Sequence, residues 1–303
     1  MFIIFLAILV RNCSDDSIEM DEPITNLSST NVNKEQYDEK EQVQGTILLK
    51  DSSNIEIPRS SHFLNEQILS RKAYTTSYNC ITKCPNWVAW KLTDEHTDGP
   101  FSRKGVPYYC EDGTAYGIGE VNSETCGSGY FVDLETKESR QELSDWTGEF
   151  GMTHGHMCPA GDNKWDKVSM NQSFLLTNMC PQAAGLNGGS WKKLEEKCRV
   201  WAKKNGCIYV VAGPMLYDGK VNRTLGNGKI AVPDAFFKVV LCMTGNPKAI
   251  GFIYVNNDGP HQMGNAVCSV DNVEKLSGFD FFSSLPDDVE DNIESINDMT
   301  EWD

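Results

Sequence analysis

Between Met152 and Arg199 the chain concentrates histidine, asparagine, glutamate and arginine in otherwise apolar surroundings, side-chain types suited to hydrolysing a phosphodiester. His154 and His156 are two residues apart, so on a strand both rings share a face. A neutral imidazole can take a proton from water at physiological pH, and Gly155 would let the backbone approach a phosphate closely. An isolated His-Gly-His is more often a pair of histidines satisfied within a core. What lifts this one is its company: Asn178 before Met179-Cys180-Pro181, Asn187 after Leu186, then Glu195 and Arg199. Asn187, Trp191, Glu195 and Arg199 are four apart, forming a ridge that drifts around a helix. Asn187, Glu195 and Arg199 can then reach one cleft while Trp191 and Leu194 dock inward. Two plainer roles stand beside these: Asn187 as a helix cap, and Glu195 with Arg199 as a surface pair worth about a few tenths of a kcal/mol.

The elements that must position these residues are strands with helices inserted among them. Tyr74–Tyr78 and Trp87–Thr93 have strand composition across a short polar connection, which predicts a β-hairpin. Gly206–Ala212, Phe236–Leu241 and Ile250–Val255 are three more apolar runs of strand length, and Ile55–Ile57 could make a short one. Trp191, Leu194, Cys198 and Trp201, at spacings of three and four, predict a helix from about Ser190 to Lys204. Shorter helices are expected near Val273–Leu276 and Pro286–Ile296. The pattern is α+β, a central antiparallel sheet with flanking helices.

The formal net charge of -16 looks unsuited to a polyanionic substrate until it is divided by region. Residues 1–60 hold -6 and residues 280–303 hold -9, so the centre is nearly neutral. Within it, residues 187–204 carry Lys192, Lys193, Lys197, Arg199, Lys203 and Lys204 against Glu195 and Glu196, a local stripe able to attract phosphate. The same stripe is equally read as a solvated helix face.

At the N-terminus, the apolar run Met1–Val10 is too short to span a bilayer and has the length of a signal-peptide core. Cys13, followed by small and acidic residues, resembles a bacterial lipoprotein junction, although Arg11 and Asn12 depart from its small-residue pattern. The expected location is outside the cytoplasm, either secreted or lipid-anchored through Cys13 at the bacterial cell envelope, with no transmembrane helix. The expected organisation is a leader over 1–17, a largely disordered tether over 18–59, a catalytic domain over 60–290 and an acidic tail over 291–303. Eleven cysteines in an exported chain suggest disulfides, with Cys80–Cys84 and Cys110–Cys126 as candidate pairs. A zinc site is disfavoured because no pair has the two-residue spacing of a zinc ribbon.

From about Tyr74 to Val289 the chain resembles the sugar-nonspecific DNA/RNA endonucleases of the ββα-metal class. The likeness rests on Pro85-Asn86-Trp87-Val88-Ala89-Trp90, Gly99-Pro100 with Arg103, Gly155-His156 with Pro159-Ala160, Asn178-Met179-Cys180-Pro181-Gln182, Leu186-Asn187 through Glu195 to Arg199, Gly213-Pro214, Val232-Pro233-Asp234-Ala235-Phe236-Phe237-Lys238 and Leu285-Pro286-Asp287-Asp288-Val289. The resemblance implies a ββα-metal active-site motif, DNA and RNA as substrates, and products with 5'-phosphates. It implies that His156 is the general base, that Asn187 is the one direct protein ligand of a magnesium ion, with manganese able to substitute, and that Glu195 acts on that metal through water. Asn178 would support the site by hydrogen bonding, and Arg103 and Arg199 would hold phosphate or stabilise the transition state. The family's Asp-Arg-Gly-His is here Thr153-His154-Gly155-His156, so His154 stands as a weaker phosphate contact, cationic mainly below its pKa. Gly188 likewise replaces a polar residue. The expectation is an active nuclease, slower or more acid-favouring than its relatives. A catalytically weakened relative that binds nucleic acid or a protein partner is the alternative, and a zinc hydrolase built on His154 and His156 is a third reading.

Overall fold

The computed structural model describes residues 54–61, 63–103, 129–137, 139–146, 151–226 and 228–303, all within the compact unit Ile47–Asp303. Its centre is a seven-stranded sheet built from β1 (Gln67–Ser70), β2 (Thr75–Asn79), β3 (Cys84–Thr93), β6 (Cys207–Met215), β7 (Ala235–Cys242), β8 (Lys248–Val255) and β9 (Val267–Cys268), with β4 (Met152–His156) and β5 (Met179–Ala183) paired outside it. The spatial order is β9-β8-β7-β6-β3-β2-β1, and every neighbouring pair is antiparallel. Four helices recur below: α1 (Lys167–Gln172), α2 (Lys192–Asn205), α3 (Val270–Ser277) and α4 (Asp287–Glu294). The α+β class, the hairpin of β2 and β3, and the three later strands follow the sequence.

Both faces of the sheet are covered, which is why its middle strands are apolar throughout rather than alternating. Val88, Trp90, Phe236, Val240 and Phe252 face one core together with Trp191, Leu194 and Trp201. Trp87, Ala89, Phe237, Val239 and Leu241 face the other together with Val270, Val273 and Ile293. The first side carries α2, the second carries α3 and α4.

Several expectations differ. Ile55–Ile57 forms a turn closed by Ile57 N–H on Asn54 O at 2.9 Å, with Ile55 buried in the second core, so no strand forms there. Chain assigned to the tether therefore already packs at Ile55, and Arg59–Ser60 pairs with Phe279–Asp280. The acidic segment 291–303 is likewise folded against the domain: Trp302 is buried, its ring tilted against that of Trp201 with centres 4.7 Å apart. Cys80 and Cys84 are not joined. The Cys84 thiol donates to Ala231 O at 3.4 Å and the Cys80 sulfur lies 3.1 Å from Asn65 Oδ1, so no disulfide links the described cysteines. Cys110, Cys126, Cys13 and the leader lie outside the described residues. Among the described residues no helix is long and apolar enough to cross a membrane.

Candidate active site

β4 and β5 run antiparallel, with His154 opposite Pro181 and His156 opposite Met179, and β5 leads directly into a helical stretch that begins at Ala184. This strand-strand-helix unit is what brings the sequence's scattered polar residues together. The helix starts six residues earlier than its apolar spacing suggests, because Asn187–Trp191 forms a wide π turn with Gly189 at φ -106, ψ -105. That irregular turn breaks the 3.6-residue period on which the expectation rested. Asn187 itself is helical (φ -58, ψ -52) and is not an N-cap. From Lys192 the helix is regular, buries Leu194, Cys198 and Trp201, and ends at Gly206, whose φ of 79 favours glycine.

One open cleft is lined by Arg103, His156, Asn187, Lys192, Glu195 and Arg199, floored by Pro159, Ala160, Gly161 and Phe174. Five of the seven residues singled out from the sequence therefore meet there, drawn from a strand end, a helix and a separate loop.

His156 packs edge-on against Phe174, ring centres 5.1 Å apart, and its backbone carbonyl accepts from Trp191 Nε1 at 3.1 Å. Its ring hydrogen-bonds the His154 backbone, while its Nε2 is buried without a partner. Nε2 is thus the free acceptor. Burial first, then the charges of Arg103 and His154, push its pKa down to about 3, so the imidazole is neutral at physiological pH.

Asn187 is oriented by Thr153. The Thr153 hydroxyl donates to Gln182 O at 2.9 Å, so it can only accept from Asn187 Nδ2, at 2.8 Å. The Asn187 amide is therefore turned with its nitrogen toward the strand and its oxygen left for a cation. Thr153 entered the sequence argument only as a lost carboxylate; no local pattern shows that a strand residue and a helix residue thirty-four positions later share a hydrogen bond.

Asn178 is fully buried and does not line the cleft. Its side chain accepts from Cys158 N–H at 2.9 Å and donates to the carbonyls of Cys158 and Ser173, each at 2.8 Å. It pins the backbone just beyond His156, and so acts by positioning rather than by contact with the reacting atoms.

His154 is also absent from the cleft wall. Its ring is sandwiched between Tyr130 (3.9 Å) and Trp146 (3.7 Å), nearly parallel to both, with Nε2 buried and unpartnered. Burial first, then Arg103, lower its pKa to about 4. A neutral, stacked imidazole is not a phosphate clamp, which departs from the role expected of it. Gly155, on the opposite face of β4, also serves another purpose: a Cβ there would meet Gln182 Cβ at 2.5 Å, so glycine is required by packing rather than by a phosphate.

Arg199 pairs with Asp162, at 2.9 Å, and not with Glu195 as the helix spacing suggested. Asp162 is buried and also accepts from Trp90 Nε1 at 3.2 Å, anchoring the guanidinium at the cleft edge. Glu195 has no such anchor; burial raises its pKa to about 7, against the opposing charge of Lys238. Lys238 is fully buried on β7, its ammonium 4.4 Å above the Trp191 ring and 5.3 Å from that of Trp90, with no hydrogen-bond partner. A single lysine inside Ala235-Phe236-Phe237-Lys238-Val239-Val240-Leu241 was the available signal for this buried charge. Arg103 lies over Tyr130 and Phe174, 5.3 Å from each ring, and donates to Tyr130 Oη at 2.8 Å.

The basic stripe is largely paired: Lys203 with Asp98, Lys192 with Glu196, and Lys197 with Asp303, while Lys204 reaches the Asp303 carbonyl. Of these, Lys192 and Arg199 line the cleft, together with Arg103. For a zinc hydrolase, three ligands would have to converge on the histidines. Among the described residues no group of three His, Cys, Asp or Glu does so.

The sequence profile of the DNA/RNA non-specific endonuclease family matches residues 51–288. The chain belongs to that family. The DNA/RNA non-specific endonuclease relatives include Nuclease C1 of Cunninghamella echinulata var. echinulata, 33% identical over 229 residues, covering 72% of this chain and 83% of that protein. The mitochondrial nuclease EXOG of Xenopus laevis is 29% identical over 229 residues, covering 71% of this chain and 58% of its own length. The chain thus spans under three fifths of the length of that relative. A chain in the crystal structure of the EndoG/EndoGI complex shares the fold with a TM-score of 0.57 at 22% identity, over 75% of this chain and 90% of that one.

Proposed function

We propose that the chain hydrolyses phosphodiester bonds within DNA and RNA, with His156 as general base, and leaves 5'-phosphate products. The observation that carries this reading is the convergence of an unpartnered His156 Nε2 and an Asn187 side chain held amide-oxygen outward in one cleft edged by arginines.

His156 takes the proton of the attacking water. Burial is the chief cause of the low pKa of its ring, and a phosphate bound beside Arg103 would offset the smaller contribution of that arginine's charge. Asn187 and Glu195 fit a magnesium ion, Asn187 directly and Glu195 through water, since the hydrogen bond to Thr153 turns the amide oxygen toward the cleft. Such an ion supplies charge neutralisation at the phosphate and assistance to the leaving 3'-oxygen. Arg199, held by Asp162, and Arg103, held by Tyr130, present cations to the nonbridging oxygens. Backbone phosphate contacts of this kind carry no base information, in keeping with activity on both nucleic acids. The apolar run Met1–Val10 and Cys13 support export with secretion or lipid anchoring; labelling by a lipid precursor, lost in Cys13→Ser, tests the anchor.

The experiment is digestion of plasmid DNA and total RNA by the full chain with magnesium or EDTA, beside His156→Ala. Magnesium-dependent loss of both substrates that disappears in the variant supports the reading. A folded protein that binds but cuts neither substrate, with any divalent metal, overturns it in favour of the weakened relative that the change at Thr153 and His154 raises.

A further inference from the structure

On the face of the sheet opposite the cleft, three carboxylates from two helices meet. α3 and α4 pack there through Val270, Val273 and Ile293, and α3 sits so close that a Cβ on Gly251 of β8 would lie 2.8 Å from Val273. Asp271 and Glu274 are three residues apart on α3 and share a side; Glu294 is the last residue of α4. One carboxylate oxygen of each lies within 4.8 Å of both others. Asp271 is exposed and Glu274 partly buried, its Oε1 accepting from Phe281 N–H at 2.7 Å. Glu294 differs from both: it is 3% exposed, and its Oε1 is buried with no hydrogen-bond partner.

A buried carboxylate oxygen without a donor, beside other carboxylates, is costly to keep charged. Burial first, then Glu274, Glu290, Asp271 and Asp280, push the Glu294 carboxyl up to about 10. Either a proton or a cation relieves it. The placement favours a cation, because an oxygen from each of three carboxylates lies within 4.8 Å of both others and Asp271 is exposed, so that a bound ion would keep part of its water shell.

We propose that Asp271, Glu274 and Glu294 form a second, structural cation site, for calcium, separate from the catalytic cleft. An all-carboxylate oxygen set selects a hard ion. Three carboxylates from two helices suit calcium, which takes six to eight oxygens in flexible geometry, better than magnesium, which demands near-ideal octahedral geometry and keeps most of its waters. The ion ties α3 to α4 and so fixes the layer behind the sheet.

The test is calcium titration of the EDTA-stripped full chain by calorimetry, with melting temperature measured in calcium and in magnesium. The expected result is calcium binding that raises the melting temperature, persists in Asn187→Ala, and is weakened at least about tenfold in both Glu294→Gln and the surface variant Asp271→Asn. Glu294→Gln keeps the shape and the neutrality of the carboxyl that burial holds protonated and should melt no lower than the parent without metal, so loss of calcium response cannot be put down to misfolding. Absence of calcium binding, a response unchanged in Glu294→Gln, or a response lost in Asn187→Ala would each overturn the proposal. A magnesium response through Glu294 equal to that of calcium would overturn the calcium assignment.

Discussion

At the scale of single residues, the cleft depends on groups that touch no substrate. Thr153 fixes which end of the Asn187 amide faces the cleft, through one hydroxyl that both donates to Gln182 O and accepts from Asn187. Thr153→Val is expected to lower apparent magnesium affinity about ten- to a hundredfold, as loss of a supporting hydrogen bond does at other metal sites, and Thr153→Ser to keep it; activity against magnesium concentration checks both. His154 occupies a flat slot between Tyr130 and Trp146 that a planar guanidinium also fits. Replacing it with arginine keeps the stacking and adds a permanent positive charge beside the cleft. The rate at saturating magnesium should rise in His154→Arg; an unchanged rate would show that the slot holds the ring for packing alone.

At the scale of elements, α2 holds Glu195 and Arg199 in register and is itself held from behind. Trp201 on its buried face packs against Trp302, while Asp303 binds Lys197 and Lys204 on its outer turns. Trp302 and Asp303 thus act as a clasp on α2. Trp302→Ala leaves a large cavity and should destabilise the domain by about 3–5 kcal/mol. Denaturant unfolding measures that loss, and kcat should fall before global unfolding begins, because α2 is the element released. The spacing of Trp191, Leu194, Cys198 and Trp201 made the regular part of α2 legible. The π turn at Asn187–Trp191 was not, since Gly188 and Gly189 allow a wide turn without requiring it.

At the scale of the whole molecule, two histidines and two glutamates shifted chiefly by burial work in opposite directions. His154 and His156 are held below 6.5, at about 4 and about 3, so their contribution to stability is complete above about pH 6.5 and is lost as pH falls through those values. Glu195 and Glu294 are held above 4.5, at about 7 and about 10, chiefly by burial; their contribution is complete below about pH 4.5 and is lost as pH rises through 7 and 10. In EDTA the melting temperature should therefore peak at mildly acidic pH, between about 4.5 and 6.5. His154→Phe should flatten the acid side and Glu294→Gln the alkaline side; a peak near pH 9 would contradict both assignments.

Much of this protein was determined by its sequence alone. Apolar runs of strand length set the sheet, because strands buried on both faces must be apolar throughout, and the ordered motifs around His156, Asn187 and Glu195 marked the cleft and the family. What the tertiary structure decided were the partnerships. Arg199 belongs to Asp162 rather than to its helix neighbour Glu195, His154 belongs to two aromatic rings rather than to a phosphate, and Asn178 belongs to the backbone rather than to the reaction. Spacing along a chain reports which side chains can share a face, but a hydrogen bond or an ion pair goes to whichever group the packing brings within about 3 Å, and only the folded arrangement of distant segments settles that choice.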